Sequence, residues 1–404
     1  MRIFALVLVA LLFSFPALAA PNIVVFVADD LGYAEISSYG GAVNTPNIDR
    51  LAAEGTKFTD FHATPFCTPT RASLLTGRYN QRAGLNYALP ARTSMGIRAS
   101  EVTLPEMLSS VYPARIMTGK WHLGRNPQFN PTLHGFTYFT GAMHGAQDYN
   151  THRNESGDMD WWVGRTLTYG APYYTTAQTA KALQTIDYNA ALHRPFFLYV
   201  PYQAAHVPYS LPGDPPGTNN GAKRPEIIRL MDRSVGQIME KIRALPSETF
   251  VFFMGDNGGP VTKNGGLRDG KGTVFEGGVR VDAIAWQPGH VPVGVSRETL
   301  HVIDLMPTLA VVGGVSLPAR QIDGRSFIPV FNGETLAPRR LFWEQSGQRA
   351  VRDGDWKLVI AGGRTMLFNL RTDLNEKTDV AIGNPGIVST LTSAHAAWHA
   401  DVYR

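Results

Sequence analysis

The chain has 404 residues, of which 44% are hydrophobic and 17% are charged, a composition that is typical of folded globular proteins and excludes an extended disordered chain. The formal net charge is only +4 and the sequence has no run of lysine or arginine, so we expect no nucleic-acid partner. At this length, one large domain followed by a smaller one is the expected organisation.

The first twenty residues have the pattern of a signal peptide. Arg2 supplies a positive charge, residues 3–15 are apolar, and residues 17–19 match the small-residue cleavage rule. This apolar run is short of the roughly 20 residues that a membrane-spanning helix needs, although an uncleaved anchor stays open as the alternative. We therefore predict export to the periplasm or the exterior, with no stable membrane insertion after cleavage.

The next 300 or so residues alternate between predicted strands and predicted helices. The strands are continuous apolar runs rich in β-branched and aromatic residues, which is typical of strands buried on both faces of a parallel sheet. The alternation predicts an α/β domain whose mainly parallel sheet lies between layers of helices. The predicted strands are 22–28, 114–117, 196–200 and 250–254, and the predicted helices begin at Thr45-Pro46 and at Thr103-Leu104.

The pattern changes after about residue 318, where short strands are separated by turn residues such as Asp353-Gly354 and Gly362-Gly363. This pattern predicts a small antiparallel sheet that is completed by a helix over 395–403. Residues 211–225 are rich in proline, glycine and asparagine and are predicted to be a surface loop. We divide the chain into a signal peptide (1–20), a catalytic domain (21–318) and an antiparallel subdomain (319–404).

Two pairs of polar residues follow predicted buried strands. Asp29-Asp30 follows the first strand, and Asp256-Asn257 follows the strand at 250–254. Ligands of α/β proteins bind beyond the carboxyl ends of parallel strands, and oxygen side chains suit Ca²⁺ or Mg²⁺ better than zinc. Asp and Asn also cap turns after strands, and either pair alone favours that interpretation. The two pairs together favour a metal site.

Cationic side chains are expected near the same edge of the sheet. Lys120 and His122 come just after a predicted strand, where alternation would point both to one side. His206 follows the strand at 196–200, and Lys271 lies in the glycine-rich sequence Gly270-Lys271-Gly272. A single surface lysine or histidine is usually a solvated or structural residue, so it is the shared placement after strands that indicates a function.

Cys67 is the single cysteine of the chain and therefore has no partner for an internal disulfide. A lone cysteine is often a buried, inert thiol, and the neighbouring residues decide whether this one is. Arg71 lies four residues later and would share a helical face with Cys67.

The motif Cys67-Thr68-Pro69-Thr70-Arg71, with Leu75-Thr76-Gly77-Arg78 after it, resembles the signature of the type I, formylglycine-dependent sulfatases. Gly119-Lys120-Trp121-His122-Leu123-Gly124 and the segments around Asp256 and Lys271 are similar to later motifs of this family. The resemblance covers nearly the whole mature chain and extends to arylsulfatase and N-acetylgalactosamine-sulfatase relatives. It implies an alkaline phosphatase-like fold.

The resemblance also implies a mechanism. A maturation enzyme would oxidise Cys67 to formylglycine, whose hydrate carries two hydroxyl groups. One hydroxyl attacks the sulfur of a sulfate ester, and the other then loses a proton and expels sulfate. The resemblance assigns the binding of one cation, Ca²⁺ with Mg²⁺ as the alternative, to Asp29, Asp30, Asp256, Asn257 and the modified Cys67.

The remaining roles come from the same resemblance. Arg71, Lys120 and Lys271 would surround the sulfate with positive charge, His122 would be the base, and His206 or Lys271 would be the acid for the leaving oxygen. Lys120, His206 and Lys271 would contact the substrate. Residues 135–149 resemble a region that supplies another sulfate contact, where His144, Gln147 and Asp148 are the candidates and we select His144.

The function implied is hydrolysis of sulfate monoesters, either of a sulfated carbohydrate or of an aryl sulfate. A phosphodiester or phosphonate monoester hydrolase with the same site is one alternative, and a catalytically silent sugar-binding relative is another. The chain is short for the family, so some substrate-binding insertions are expected to be missing.

Overall fold

The computed structural model describes residues 20–404. The predicted signal peptide therefore lies outside the described residues, apart from its last residue. Among the helices of residues 20–404, none combines the length and the apolar character needed to cross a bilayer.

A large, mostly parallel sheet forms the centre of the fold and has eleven strands within residues 20–404. The strand order is β10-β2-β9-β8-β1-β7-β3-β4-β5-β6, with β11 beside β2, and β9 and β5 run antiparallel to their neighbours. These strands are β1 (Asn22–Ala28), β2 (Thr56–His62), β3 (Ala114–Lys120), β4 (Tyr138–Ala142), β5 (Trp162–Val163), β6 (Thr166–Leu167), β7 (Phe196–Pro201), β8 (Thr249–Gly255), β9 (Arg280–Trp286), β10 (Gly294–Ser296) and β11 (Leu300–His301).

Helices cover both faces of this sheet, as the alternating residues of β1 show. Val25 and Val27 belong to a core that includes apolar residues of α2, α3 and α7, whereas Val24 and Phe26 belong to the core of α1, α4 and α5. A strand buried on both faces must be apolar throughout, which is why β1 is a continuous apolar run. The helices are α1 (Pro46–Glu54), α2 (Cys67–Thr76), α3 (Leu104–Met107), α4 (Tyr174–Ala191), α5 (Arg224–Arg243), α6 (Glu276–Val279), α7 (Leu305–Gly313), α8 (Ile328–Phe331) and α9 (Pro385–Val402).

A second, four-stranded sheet follows in the C-terminal part of the chain, and its strands pair antiparallel in chain order. This confirms the predicted fold class of an α/β domain with a small antiparallel subdomain. The division at residue 318 stays a prediction, and Phe327 and Phe331 beyond it pack against Phe58 and Phe252 of the large sheet. The four strands are β12 (Arg340–Gln345), β13 (Gln348–Asp353), β14 (Trp356–Ala361) and β15 (Arg364–Asn369).

Several boundaries differ from the sequence predictions, and three of these differences change how a segment is described. β3 runs on to Lys120, so this lysine ends the strand and does not follow it. The predicted loop at 211–225 is wrong at its end, because α5 begins at Arg224 and Pro225 fits the first helical turn. The last helix begins at Pro385, well before residue 395, because Leu391 packs against the small sheet and stabilises a segment of weak helix formers.

Candidate functional site

The two polar pairs meet where β1 and β8 end. These strands are parallel neighbours and place Ala28 beside Gly255, so Asp29-Asp30 and Asp256-Asn257 leave the sheet side by side. The backbone N–H of Asp30 donates to Oδ1 of Asp256 at 3.1 Å, and Nδ2 of Asn257 donates to Oδ1 of Asp30 at 2.8 Å. The four side chains form one buried cluster.

Two oxygens of this cluster have no hydrogen-bond partner within the described chain, namely Oδ1 of Asp29 and Oδ1 of Asn257, and both are buried. A buried acceptor without a partner is costly. One ligand atom each of Asp29, Cys67 and Asp256 lies within 4.8 Å of the others, which is a spacing that one metal ion can span. The mainly oxygen donor set with unsatisfied oxygens fits a hard cation such as Ca²⁺ or Mg²⁺.

Cys67 is the first residue of α2, and all ten residues of this helix are buried. Burial raises the pKa of the Cys67 thiol, although Lys120 and Lys271 act against the shift. The encoded thiol therefore stays protonated at neutral pH and is a weak nucleophile. One turn along the helix, Arg71 donates from Nη2 to Oδ2 of Asp256 and from Nη1 to the carbonyl oxygen of Lys120, both at 2.8 Å.

Two lysines reach the acidic cluster from different elements. Lys120, at the end of β3, forms a buried ion pair with Asp29. Nζ of Lys271 lies 2.8 Å from Oδ2 of Asp30. Burial would lower the pKa of Lys271, but Asp30, Cys67 and Asp29 together outweigh burial and the net pKa is raised, so this lysine stays charged. Gly272 next to it has a φ of 88°, a conformation that glycine adopts without strain.

His122 lies beside these groups but not by strand alternation. Its φ is 56°, in the left-handed region, so the expected alternation with Lys120 does not apply. Nε2 of His122 lies 3.0 Å from the carbonyl oxygen of Leu89, which makes it the protonated nitrogen, and Nδ1 is buried without a partner among residues 20–404. Burial and the charge of Lys120 lower the pKa of His122 well below its usual value. The ring is neutral and offers Nδ1 as a proton acceptor.

His206 is also neutral in this structure. Burial lowers the pKa of His206 to about 3, and the attraction of Asp30 offsets only part of this effect. Nδ1 of His206 donates to the carbonyl oxygen of Val207 at 2.6 Å, and Nε2 lies 3.6 Å from Oδ2 of Asp30. His206 therefore presents Nε2 to the acidic cluster.

His144 lies in a neighbouring set of contacts. Its Nδ1 is 2.8 Å from Oδ2 of Asp160, and its Nε2 is 3.4 Å from Nδ2 of Asn154. In the described part of the chain, none of its hydrogen bonds reaches the acidic cluster. The next residue, Gly145, packs on His122, since a Cβ there would lie 2.4 Å from the ring.

Arg224 was not among the predicted site residues, because it fell within the predicted surface loop. Arg224 is buried, forms an ion pair with Glu35, and donates from Nη2 to the carbonyl oxygen of Asp30 at 2.7 Å. It therefore supports Asp30, whose φ of 59° is unusual for a residue with a side chain. No local pattern marks this contact, because the two residues are 194 positions apart.

Known proteins resemble this chain in sequence and in fold. The Sulfatase family model matches residues 21–315. N-acetylgalactosamine-6-sulfatase of Sus scrofa is 38% identical over 80% of this chain and 68% of its own, and arylsulfatase A of Bos taurus is 36% identical over 86% and 76%. The crystal structure of Ps i-CgsB in complex with k-i-k-neocarrahexaose superimposes with a TM-score of 0.86 at 30% identity, covering 94% of this chain and 92% of that one. The chain belongs to the sulfatase family of sulfuric ester hydrolases.

Proposed function

We propose that this protein hydrolyses sulfate monoesters of carbohydrates to the free alcohol and sulfate, and that it also accepts small aryl sulfates. The observation that carries the proposal is the convergence of Cys67, a cluster of oxygen ligands and the cations Arg71, Lys120 and Lys271 around one point. The sugar in the substrate is inferred from the names of the similar proteins.

Cys67 is the residue that we propose to be converted to formylglycine. The hydrated aldehyde supplies a nucleophilic oxygen together with a second hydroxyl whose deprotonation releases the sulfate. The protonated state of the buried Cys67 thiol supports this proposal, because the unmodified side chain is poorly suited to attack. The modification requires a formylglycine-generating maturation enzyme as a partner.

Asp29, Asp30, Asp256, Asn257 and the modified Cys67 would hold the cation, which we propose to be Ca²⁺, with Mg²⁺ as the alternative. A divalent cation there would offset the negative charge of the carboxylates and of the bound sulfate. The two unpartnered oxygens of Asp29 and Asn257 support this assignment.

Three side chains are the proposed proton-transfer groups. His122 is the proposed base, since its Nδ1 is free to accept a proton. The proposed acid for the leaving oxygen is Lys271, which is charged in this structure, or His206, which becomes an acid once the negative charge of bound sulfate favours its protonated form.

We propose that Lys120, His206, Lys271 and, less directly, His144 contact the substrate. Arg71 would contribute through its charge and through the position of Asp256, to which it donates a hydrogen bond. The predicted signal peptide supports export, so the natural substrate would lie outside the cytoplasm.

The test is an assay of protein made in a host that contains the maturation enzyme. We expect turnover of 4-nitrophenyl sulfate and a hexose sulfate, slower turnover of bis(4-nitrophenyl) phosphate and a phosphonate monoester, and none by Cys67→Ala. The peptide with residue 67 should be lighter than the thiol form by about 18 Da. Faster phosphodiester or phosphonate hydrolysis would reverse the choice of reaction, and no turnover of any ester would favour a silent sugar-binding relative.

A further inference from the structure

A cavity of about 280 Å³ has a lining that comes from residues 146–155 and 207–219. Each wall directly follows a residue that contacts or belongs to the site. Gly145, before the first wall, packs on the ring of His122, and Val207 on the second wall directly follows His206. The cavity therefore adjoins His206 and the residue that packs on His122, the two histidines to which proton-transfer roles are assigned above.

A larger cavity of about 390 Å³ has a different location. Ala114 and Tyr138, the first residues of β3 and β4, contribute to its lining, together with α4. It therefore lies at the edge of the sheet opposite to the carboxyl ends where Lys120 and the acidic pairs are found, and its size does not make it the substrate site.

The two walls of the smaller cavity are fixed to each other. The backbone N–H of Gly217 donates to Oδ2 of Asp148 at 3.2 Å. Asn150 donates from Nδ2 to the carbonyl oxygen of Leu211 at 3.0 Å and accepts from the N–H of Gly213 at 3.2 Å. Asp148, one of the three side chains considered as a sulfate contact, therefore holds the walls together, and the cavity is formed before a ligand arrives.

Gln147 contributes a buried side-chain oxygen that accepts no hydrogen bond from residues 20–404. Gln147 lines the cavity, and its Nε2 donates to the carbonyl oxygen of His144 and to Oδ2 of Asp160, both at 3.0 Å. These two bonds fix the amide orientation, so the remaining atom is the oxygen. That Oε1 is buried and has no hydrogen-bond partner within residues 20–404. A buried acceptor of this kind suits a hydroxyl donor on a ligand.

The charged residues of the lining differ from those of the sulfate site. They are Asp148, Arg153 and Glu155, two carboxylates and one guanidinium. The cavity therefore has no excess of positive charge, whereas the neighbouring site holds Arg71, Lys120 and Lys271. A second sulfate or a carboxylate on the ligand would gain little from such a lining.

We propose that this cavity binds the sugar ring that carries the scissile sulfate, that Oε1 of Gln147 accepts a hydrogen bond from a ring hydroxyl, and that the site selects a pyranose with no other anionic group. The cavity volume is close to the lower limit of the range for small-molecule sites, which is roughly 300 Å³, and this size suits a single ring. The inference rests on the proposed sulfatase function and adds the residues that select the alcohol part of the substrate.

The experiment compares two substrates in the matured enzyme. Galactose 6-sulfate has ring hydroxyls, whereas 4-nitrophenyl sulfate has none to donate to Gln147. We expect Gln147→Leu to lower kcat/KM for galactose 6-sulfate by about tenfold or more and to leave 4-nitrophenyl sulfate within about twofold. A second variant, Val207→Phe, narrows the cavity without changing its hydrogen bonds and should reduce turnover of the sugar ester more than that of the aryl ester.

The matched control is Gln184→Leu, which makes the same change in the lining of the larger, distant cavity and should alter neither rate. Equal losses on both substrates with Gln147→Leu would overturn the proposal, because they would indicate a structural role. No loss on either would overturn it too, as would a wild-type preference for a disulfated hexose over galactose 6-sulfate. If wild-type enzyme turns over neither ester, the proposed function itself fails, which is a distinguishable result.

Discussion

At the scale of single residues, Asp30 and Asp256 are joined by a hydrogen bond, but their pKa values are shifted in opposite directions. Burial would raise the pKa of Asp30, yet the charges of Lys271 and Lys120 and the hydrogen bond from Asn257 act against burial, and the net pKa is lowered. Burial and the charge of Asp29 raise the pKa of Asp256 to about 7, although Arg71 opposes the shift. Arg71 thus offsets only part of the burial and of the repulsion from Asp29 that act on Asp256, as expected of a site that takes a divalent cation.

We predict that Asn257→Ala weakens cation binding. The substitution removes the unpartnered Oδ1 and with it one proposed oxygen ligand, while the carboxylates remain. We expect the Ca²⁺ concentration that restores half of the activity after chelation to rise by about tenfold or more. The measurement is a titration of chelated enzyme with Ca²⁺, followed by 4-nitrophenyl sulfate turnover.

The control is Asn332→Ala, the same change at an exposed position. It should leave the Ca²⁺ titration of the wild type unchanged. If Asn257→Ala loses activity but keeps the wild-type Ca²⁺ midpoint, Asn257 is not a ligand.

Many residues of this cluster could be proposed from the sequence because they lie in local motifs. Some of its contacts could not be predicted in this way. Cys67 and Arg71 share one helical turn, and each acidic pair directly follows an apolar strand, so short stretches of sequence are sufficient. Arg224 could not be found in this way, since its partner Asp30 is distant in the chain and its own neighbourhood resembles a loop. The choice among His144, Gln147 and Asp148 likewise depends on hydrogen bonds that only the fold determines.

At the scale of elements, the loop that carries Lys271 is held by the hairpin of β12 and β13. Nε2 of Gln348, at the start of β13, donates to the carbonyl oxygen of Gly272, and its Oε1 accepts from the N–H of Val274, both at 3.3 Å. Val274 and Phe275 also belong to the apolar core of the small sheet. The C-terminal sheet therefore holds the loop of Lys271 through Gln348. The hydrogen bonds of Gln348 go to Gly272 and Val274 of this loop and not to the acidic cluster.

We predict that Gln348→Leu lowers kcat for 4-nitrophenyl sulfate by about tenfold, because a small displacement of a positioned charge is sufficient for such a loss. The melting temperature should change little, since two long hydrogen bonds at the edge of the hairpin contribute little to stability. Gln237→Leu on the exposed face of α5 is the control. An unchanged kcat in Gln348→Leu would show that the hairpin does not position Lys271.

Elements with a strong local pattern were predicted, and others depend on packing. The fully apolar runs that form β1, β7 and β8 were predicted because a strand buried on both faces leaves no other pattern. The edge pairing of β2 with β9 and β10 was not predicted, since the partners lie more than 200 residues away in sequence. The first half of α9 also owes its helical form to contacts with the small sheet.

At the scale of the whole molecule, a buried ion network joins the large sheet to the C-terminal sheet. Ligand atoms of Asp60, His62 and Glu276 lie within 4.8 Å of one another, as in a metal site. Their charges are already met by protein cations, however. Arg352 forms two hydrogen bonds of 2.6 Å with Asp60, and Lys357 lies 2.8 Å from Glu276. The network is therefore a structural connection between the two parts of the chain.

Lys357 is the centre of the last prediction, because it is fully buried between two carboxylates. Its Nζ lies 2.8 Å from Glu276 and 3.0 Å from Glu376, and Glu376 also accepts from the N–H of Glu276 at 2.6 Å. Removing one partner of a buried ion pair leaves the others uncompensated, so we expect Lys357→Met to lower the free energy of unfolding by about 3–5 kcal/mol.

The second substitution Glu376→Gln, made in Lys357→Met, removes one of the charges left without a partner and should restore part of this loss. Burial and the repulsion of Glu276 already raise the pKa of Glu376 to about 7, even with Lys357 in place. A carboxyl group whose folded pKa is raised destabilises the fold as pH increases, so the deficit of Lys357→Met should shrink between pH 8 and pH 5 as Glu376 takes up a proton. Calorimetric melting of the three proteins across this range measures both effects. A double variant as unstable as Lys357→Met, with a deficit independent of pH, would mean that Lys357 acts by packing alone.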